Sequence, residues 1–413
     1  MTTSVKIGSV IKYLRTKSKI TQNELAKGIC SIPHLSKIEN NNKDANQETI
    51  ELLLERLGVT LKYITKKDKE IKVLLDQLID NIHYYQKAEA QETYKKLEIS
   101  NEFIPFTPYL YIYELYVMRY LLFIGNLDAA GVQKNWLNKH RKNFSQYEIY
   151  LFNYYSAIFL ILKGQYTEAE EVLVNLLNEE NSNYEVQGEY FYHLSLVKAN
   201  LGLSGQAIFY GKKALQFFTN QYNFKRILHT LMLLGINYTH SKLYQEAYDC
   251  YMHLLRNVDV LKDPNFRPQI YHNIGYLMDK MGNPNESVLY YKLCLELLPE
   301  DSIHYLINLY SLGEIHFRNG NVKEAIKYLN ETLELSEEQS NQKYTKLSRY
   351  YILELMGYYD EAIEFLEENL IPFLESIGEH KDELKRFKTH LFNYYKEQCN
   401  YEKAINYINR SED

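Results

Sequence analysis

A six-residue pattern recurs eight times along this chain, at separations of 37 to 42 residues. Each copy begins with a residue that is compatible with a turn and ends with a small residue, as in "GQYTEA" at 164 and "GNVKEA" at 320. The small residues that close the pattern are Ala130, Ala169, Ala207, Ala247, Ser287, Ala325, Ala362 and Ala404. A period of this length indicates stacked structural repeats, which let a chain of 413 residues fold without dividing into several globular domains.

Each repeat is predicted to be a pair of helices. The stretch after each turn, such as "EAIKYLNETLEL" at 324, has apolar residues at helical spacing. Several units carry a second small residue twelve positions earlier, where it lets the paired helix approach closely: Ala157, Ser195, Gly235, Gly275 and Gly313. The units resemble the tetratricopeptide repeat, and the segment from Asp68 to Ile99 has room for one further pair. We therefore predict an all-α fold in which residues 67–413 form a right-handed α-solenoid of about nine tetratricopeptide-like helix pairs.

The first 66 residues carry the signals of short helices and lack the repeat. Thr21 followed by Glu24 has the form of a capping box, which starts a helix. Ser31 can cap the next helix and places Pro33 in its first turn, where an N–H group would have no intrahelical partner. A further helix is predicted from about residue 47 to residue 57, because Gly58 follows it.

Two short helices joined by a tight turn form the geometry that places a recognition helix in the major groove of DNA. The stretches "TQNELA" at 21, "LSKIEN" at 35 and "LGV" at 57 resemble the Xre/lambda-repressor-like helix-turn-helix family over residues 1–66. The resemblance implies DNA contacts by Gln22, Ser31, His34, Ser36 and Lys37. Ile32 and Pro33 replace the usual polar residues, which predicts sparse direct reading of bases. The alternative is a helix-turn-helix kept only for packing or dimerisation.

The charge of the chain is divided unevenly. Residues 1–66 contain eleven Lys and Arg against six Asp and Glu, so this segment carries +5 and the remainder carries −11 of the total −6. A small basic head on a large acidic body indicates that the head alone has a polyanionic partner, namely DNA. The alternative is an ordinary scatter of surface charge.

Several classes of protein find no support in the sequence. No run approaches the roughly 18 apolar residues of a membrane helix, and the N-terminus lacks the pattern of a secretory signal, which predicts a cytoplasmic protein. The four cysteines are widely scattered and form no CxxC pair, so neither a disulfide framework nor a zinc site is expected. No phosphate-binding loop, HExxH or GxSxG motif occurs. We therefore expect no enzymatic activity, no catalytic residues, no metal and no cofactor.

A helix-turn-helix followed directly by about nine such repeats resembles the RNPP family of cytoplasmic peptide-pheromone receptors, and the length favours its NprR-like branch. The resemblance covers essentially the whole chain. It implies a quorum-sensing transcription regulator that binds a short, secreted and re-imported peptide in the concave channel of the repeats. The peptide would then change how the DNA-binding heads are arranged.

The candidate peptide contacts lie on the predicted inner helices. An extended peptide has backbone donors and acceptors that must be satisfied when water is displaced, and polar side chains can do this. Taking the small residue of each repeat as a marker of phase, the inward or nearly inward positions are Tyr154, Tyr192, Asn200, His229, Met232, Asn237, His272, Asn273, Tyr276, Tyr310 and Arg318. The resemblance draws attention to Asn273, because family peptide contacts often involve an Asn in the middle of an inner helix. The alternative for any one of these residues is simple packing or solvation.

Two other functions remain open from the sequence. The repeats could sequester a sporulation-pathway response regulator, as some members of the family do, or serve as a general tetratricopeptide scaffold. One head reads only a few base pairs, so useful DNA affinity predicts a homodimer or a higher homo-oligomer.

Overall fold

The structure is a computed structural model that describes residues 5–41, 46–178, 187–261, 263–264, 266–377 and 381–407. Within these ranges the regular elements are helices and no strand occurs, which confirms the all-α class. None of the described helices is long and apolar enough to cross a membrane. The chain divides into two compact units, residues 1–233 and 234–413, which are described in turn.

The head of the first unit consists of four short helices: α1 (Ile7–Lys17), α2 (Gln22–Ala26), α3 (Ile32–Glu39) and α4 (Gln47–Arg56). The predicted capping box is present, because the Thr21 side chain accepts from the Glu24 N–H and the Glu24 carboxylate accepts from the Thr21 N–H. Ser31 caps α3 and Pro33 lies in its first turn, as predicted. Leu25 and Leu35 lie in the core of the head with no exposed surface.

The repeats begin with α5, which is one continuous helix through the joint that follows the head. The helices of the repeats in the first unit are α5 (Leu61–His83), α6 (Lys87–Ile99), α7 (Leu110–Phe123), α8 (Leu127–His140), α9 (Gln146–Leu162), α10 (Tyr166–Asn178), α11 (Gln187–Asn200), α12 (Ser204–Asn220) and α13 (Phe224–His240). The last of them, α13, reaches into the second unit. The predicted domain boundary at residue 66 falls inside α5, and that boundary stays a prediction.

The head also packs against the turn that follows α6. The Lys6 N–H donates to the Phe106 carbonyl at 3.0 Å, and the rings of Tyr13 and Phe106 lie 5.1 Å apart. The Tyr13 hydroxyl donates to the Glu102 carboxylate, which also pairs with Lys17. The head is therefore held both by a continuous helix and by a second contact with the first repeats.

The second unit continues the same arrangement of paired helices. Its further elements are α14 (Tyr244–Asn257), α15 (Phe266–Lys280), α16 (Pro284–Leu295), α17 (Ile303–Arg318), α18 (Val322–Glu338), α19 (Gln342–Leu355), α20 (Tyr359–Phe365), the π-helical turn Leu366–Leu370, α21 (Ile371–Ile377), α22 (Lys381–Glu397) and α23 (Tyr401–Asn406). From α5 onward the described helices form nine successive pairs, with α21 inserted before the last pair.

The small residues of the repeats lie where helices meet. All eight that close the sequence pattern are buried. The Ser195 hydroxyl donates to the Ala207 carbonyl at 2.7 Å, and the Ser287 hydroxyl donates to the Gly275 carbonyl at 2.6 Å. A Cβ atom on Gly275 would lie 2.9 Å from the Tyr291 ring, too close for an unstrained contact. The twelve-residue relation between the two small positions thus reflects close helix pairing within a repeat.

Candidate DNA-recognition surface and ligand cavity

The outward side of α3 is the predicted DNA-recognition surface. Ser31 and Lys37 are exposed, while His34 and Ser36 are half-buried. The Ser31 hydroxyl is engaged as the helix cap, because it accepts from the His34 backbone N–H at 3.3 Å. Ile32 is 44% exposed at the start of the same helix, so the surface offers an apolar contact beside the polar ones. These contacts to DNA stay a prediction.

Gln22 is oriented by a buried carboxylate. Its side-chain amide donates to Glu39 Oε2 at 2.8 Å, and Arg15 Nε donates to Glu39 Oε1 at 2.6 Å. Glu39 is only 2% exposed and lies at the end of α3. A buried carboxylate requires such partners, so this network fixes the start of α2 relative to α3, on which the geometry of a helix-turn-helix depends.

In the first unit, three charged side chains form a buried cluster, which we call the ion triad: Arg119 of α7, Glu189 of α11 and Arg226 of α13. Arg119 Nη2 lies 3.2 Å from both carboxylate oxygens of Glu189, and Arg226 Nη2 also pairs with that carboxylate. The three side chains are 4%, 4% and 6% exposed. Burial opposes ionisation of Glu189, yet Arg226 and Arg119 hold its pKa well below the usual range. The triad therefore remains charged and carries one excess positive charge.

Three predicted peptide contacts lie around the ion triad. Tyr154 is fully buried, and its hydroxyl lies 2.8 Å from Nδ1 of His193. The Arg226 guanidinium lies over the half-buried Tyr192 ring at 5.6 Å. The His229 ring meets the Tyr85 ring at 4.7 Å, and burial together with nearby cations lowers the pKa of His229 to about 3. Tyr192 thus contacts the triad directly, and His229 contacts Tyr85, whose ring the Arg226 guanidinium also overlies at 5.3 Å.

Two further predicted contacts of the first unit lie on α11 and α13. Met232 is buried, with 8% of its surface exposed. Asn200 is exposed at the end of α11, and its amide donates to the Leu196 carbonyl within the same helix at 2.9 Å. Both lie on predicted inner helices, and their peptide contacts stay a prediction.

In the second unit, four predicted contacts come together around a cavity of about 330 Å³. They are His272 and Tyr276 of α15 and Tyr310 and Arg318 of α17. Ile307 and Ile315 also line it, together with further polar side chains: Asp279, Lys280, Tyr291, Ser311, Glu314, Lys343, Tyr344, Glu383 and Arg386. We call this space the repeat cavity. It offers hydrogen-bond donors, acceptors and aromatic rings in one place.

Ion pairs whose arginines are half-exposed surround the repeat cavity. Arg318 Nη2 lies 2.9 Å from both carboxylate oxygens of Asp279, and Arg318 Nε lies 3.7 Å from Glu314. Arg386 of α22 pairs with the same Glu314 and donates to the Tyr351 hydroxyl at 3.0 Å. Both arginine side chains are 41% exposed, so each keeps a surface that an incoming group can contact.

The aromatic wall of the cavity is held by contacts of its own. The Tyr310 hydroxyl donates to Glu383 at 3.5 Å, and the Tyr310 and Tyr344 rings lie 5.3 Å apart. His272 Nδ1 lies 3.1 Å from the Asn308 side-chain oxygen, and burial lowers the pKa of His272. A neutral imidazole therefore donates to Asn308 from Nδ1, which fixes the ring.

Two predicted asparagines lie outside the cavity lining. Asn237 is 1% exposed and Asn273 is half-buried. Asn273 had the best phase for a family-like contact, and in this structure its neighbour His272 lines the cavity instead. Both assignments stay predictions.

The sequence reasoning found Arg318 but missed other charged residues of both clusters, among them Arg119 and Arg386. Arg119 stands inside the apolar run "ELYVMRYLLF", and a charge in such a run is a recognisable sign of a buried ion pair. Arg386 gave no comparable sign, because its helix is rich in charge and its partner Glu314 is 72 residues away in the chain. Among the described residues, no group of three or more His, Cys, Asp or Glu is arranged to hold a metal ion.

Comparisons with known proteins agree with this architecture. Residues 11–64 match the helix-turn-helix family HTH_3, and residues 268–301 and 308–339 match the tetratricopeptide repeat family TPR_8. The transcriptional activator NprA of Geobacillus stearothermophilus is 23% identical over 398 residues, covering 94% of this chain and 98% of NprA. The regulatory protein RapD of Bacillus subtilis (strain 168) is 26% identical over 318 residues, covering 72% of this chain and 85% of RapD.

The solved structures of one further protein show the same fold. The apo form of the quorum sensor NprR from B. thuringiensis matches with a TM-score of 0.70 at 20% identity, covering 82% of this chain and 97% of that chain. The structure of NprR in complex with its cognate peptide NprX matches with a TM-score of 0.60 at 19% identity, covering 82% and 96%.

The fold thus defines the chain as a helix-turn-helix protein with a body of tetratricopeptide-like repeats, and the predicted α-solenoid class is confirmed. The similarity to NprA extends over 94% of this chain, so it spans both parts of it. The chain thus combines an HTH_3 helix-turn-helix with TPR_8 repeats, and it resembles the RNPP family over nearly its whole length.

Proposed function

We propose that this protein is a transcription regulator that binds DNA through residues 1–66 and a short signalling peptide through residues 67–413. The observation that carries the proposal is the pairing of an outward-facing recognition helix with a polar cavity in the repeats of the same chain. The full-length similarity to a protein named as a transcriptional activator supports the DNA-binding part. The complex of the structurally similar NprR with NprX supports the peptide-binding part.

The head is suited to phosphate and base contacts. Lys37 is exposed on α3, and Gln22 is fixed at the start of α2 by its hydrogen bond to Glu39. The segment carries +5, so binding should release counterions and weaken as salt is raised. Because a single head covers few base pairs, the functional form is a homodimer on a two-fold or repeated site.

The repeat cavity is suited to one end or a few residues of a peptide. Its volume of about 330 Å³ lies at the lower end of the roughly 300–1,000 Å³ of ligand pockets, too small for a folded domain. The half-exposed Arg318 and Arg386 can bind carboxylate or carbonyl oxygens. Glu314 and Asp279 can accept from peptide N–H or amino groups. A cavity that supplies both kinds of partner satisfies a peptide backbone when water leaves.

A binding experiment tests the DNA-binding part separately from the peptide-binding part. The whole chain is used to select fragments from its own genomic DNA, and the affinity for the best fragment is compared with that of a Ser36→Ala, Lys37→Ala variant. We expect the variant to bind this fragment at least tenfold more weakly, with unchanged peptide binding. Equal DNA affinity of parent and variant would contradict the assignment of the recognition surface.

A second candidate function follows from the similarity to RapD, which is named as a regulatory protein. In this alternative the repeats bind and sequester a sporulation-pathway response regulator, and DNA binding is secondary. A purified response regulator that forms a stable complex with the whole chain, and that a short peptide fails to displace, would favour it over peptide-controlled transcription.

A further inference from the structure

A basic groove lies beside the head in the first unit, and its lining includes no residue of the ion triad. It lies between α4, α5 and α6, has a volume of about 1160 Å³, and exceeds the roughly 300–1,000 Å³ of small-molecule pockets. Five lysines line it: Lys62, Lys66, Lys67, Lys69 and Lys96. Its apolar lining includes Val73, which is 52% exposed, and Ile99, which is 82% exposed. We call this surface the lysine groove.

The lysine groove has the character of a protein-docking surface. Lys62, Lys66, Lys69 and Val73 follow one another at spacings of four, three and four residues, so they share one face of α5. Glu70 lies 3.7 Å from Lys66 and from Lys67, which is too long for strong pairing. A row of lysines ending in exposed apolar residues matches a partner that has a row of acids ending in an apolar or aromatic residue.

The second unit contains a segment with this complementary pattern. Residues 359–377, which span α20, the π-helical turn and α21, contain six Asp and Glu and no Lys or Arg. Glu361, Glu364 and Glu368 are exposed at helical spacing, and Tyr358, 53% exposed, precedes them by three residues. We call these four residues the acidic stripe.

We propose that the lysine groove of one copy of this protein receives the acidic stripe of a second copy. The two rows correspond when the helices run antiparallel, since Lys62, Lys66, Lys69 and Val73 then face Glu368, Glu364, Glu361 and Tyr358 in that order. A two-fold dimer contains this contact twice, because each copy presents both surfaces. The ion pairs set the register, and the tyrosine covers the exposed apolar residues at the end of the groove. This inference is independent of peptide binding.

Sedimentation of the whole chain with charge reversals tests the contact. Lys66→Glu with Lys69→Glu should weaken dimerisation at least tenfold, and Glu361→Lys with Glu364→Lys should do the same. An equimolar mixture of these two variants should form a heterodimer. One of its two contacts keeps the parental charges, and in the other the charges are exchanged but still complementary. The matched control is Lys72→Glu with Lys95→Glu, which makes the same charge change on exposed residues of α5 and α6 outside the groove and should dimerise like the parent.

Disulfide trapping tests the register directly. One tagged copy carries Val73→Cys and a differently tagged copy carries Tyr358→Cys, both with the exposed Cys399 replaced by Ser. Oxidation should link the two copies far more than a control pair in which Val132→Cys, at a more exposed site (72% against 52%), replaces Val73→Cys. A monomeric parent, a dimer whose affinity the reversals leave unchanged, or linkage no greater than that of the control pair would overturn the proposal.

Discussion

The two units of the chain each hold a group of arginines and carboxylates among tyrosines on helices of the repeats, yet the two groups differ in access to solvent. In the ion triad of the first unit, no side chain is more than 6% exposed. Around the repeat cavity of the second unit, Arg318 and Arg386 are each 41% exposed. The same repeat design therefore yields a sealed ionic cluster in one unit and an open polar site in the other.

This difference separates the energetic roles of the two groups. A charge that is buried with its partners becomes very costly when one partner is removed, because the remaining charges lack both water and a counter-charge. A half-exposed pair contributes little to stability, because water can replace either partner. The ion triad is thus expected to serve stability, while the charges around the repeat cavity remain available to a ligand.

The largest expected effect is the loss of the central carboxylate of the ion triad. Glu189→Gln leaves Arg119 and Arg226 buried without a counter-charge, so we expect the free energy of unfolding to fall by about 3–5 kcal/mol. Arg318→Ala is the control from the repeat cavity and should cost less than about 1 kcal/mol. Urea unfolding of both variants measures the two values. Equal losses would mean that exposure does not distinguish the two groups.

A second prediction concerns the wall of the repeat cavity. His272 and Tyr276 lie on α15, and Gly275 of the same helix packs on Tyr291 with no space for a Cβ atom. Gly275→Ala should therefore destabilise by about 1–3 kcal/mol through overpacking. Gly205→Ala is the control in the first unit, where no atom lies within 4 Å of the new Cβ, and it should be neutral or stabilise by up to about 1 kcal/mol. Thermal unfolding of the two variants compares them.

A third prediction uses His193, which contacts Tyr154 beside the ion triad. Burial, opposed by Glu189 and reinforced by both arginines, lowers the pKa of His193 to about 3. Below about pH 6.5 the unfolded chain binds a proton at this residue whereas the folded chain does not. The free energy of unfolding should therefore decrease as the pH is lowered, by up to about 1.4 kcal/mol per pH unit. The slope develops from about pH 6.5 downward, and the Glu189 carboxylate adds to it only below about pH 4.3. Between pH 7 and 5, His193→Gln should unfold with a flatter pH dependence than the parent, and parallel curves would contradict the assignment.

The smallest expected effect is in the head. Lys37→Ala should reduce the slope of log binding constant against log salt concentration by about 0.9, the amount for one lost phosphate contact. Lys72→Ala, an exposed lysine of α5, should leave the slope unchanged. Fluorescence anisotropy of labelled DNA at several salt concentrations gives both slopes. A slope that changes equally in the two variants would show that general charge, and not the recognition helix, determines affinity.

The parts of the fold that depend on local spacing could be predicted from the sequence. The capping box at Thr21 involves residues three apart, and the pairing of Ser195 with Ala207 involves residues twelve apart. The candidate site was only partly predictable, because helical phase says which face a residue occupies but not whether that face is covered. Tyr154 and Tyr310 have the same phase, yet Tyr154 is sealed beside His193 while Tyr310 lines the repeat cavity.

The charged partners of the two groups were beyond sequence reasoning for the same reason. Arg119 and Glu189 are 70 residues apart, and Glu314 and Arg386 are 72 residues apart. Nothing in either local pattern specifies the partner, since the contact depends on the stacking of different repeats.

The central claim is that peptide binding at the repeat cavity controls DNA binding by the head. The most direct test selects the tightest short peptide from a random library, using the whole chain. It then measures DNA affinity with and without that peptide, for the parent and for a variant with Arg318→Ala and Arg386→Ala. We expect the peptide to change the DNA affinity of the parent at least fivefold, and to leave that of the variant unchanged because peptide binding is lost. A parent whose DNA affinity does not respond to a bound peptide, or a variant that responds as the parent does, would contradict the account.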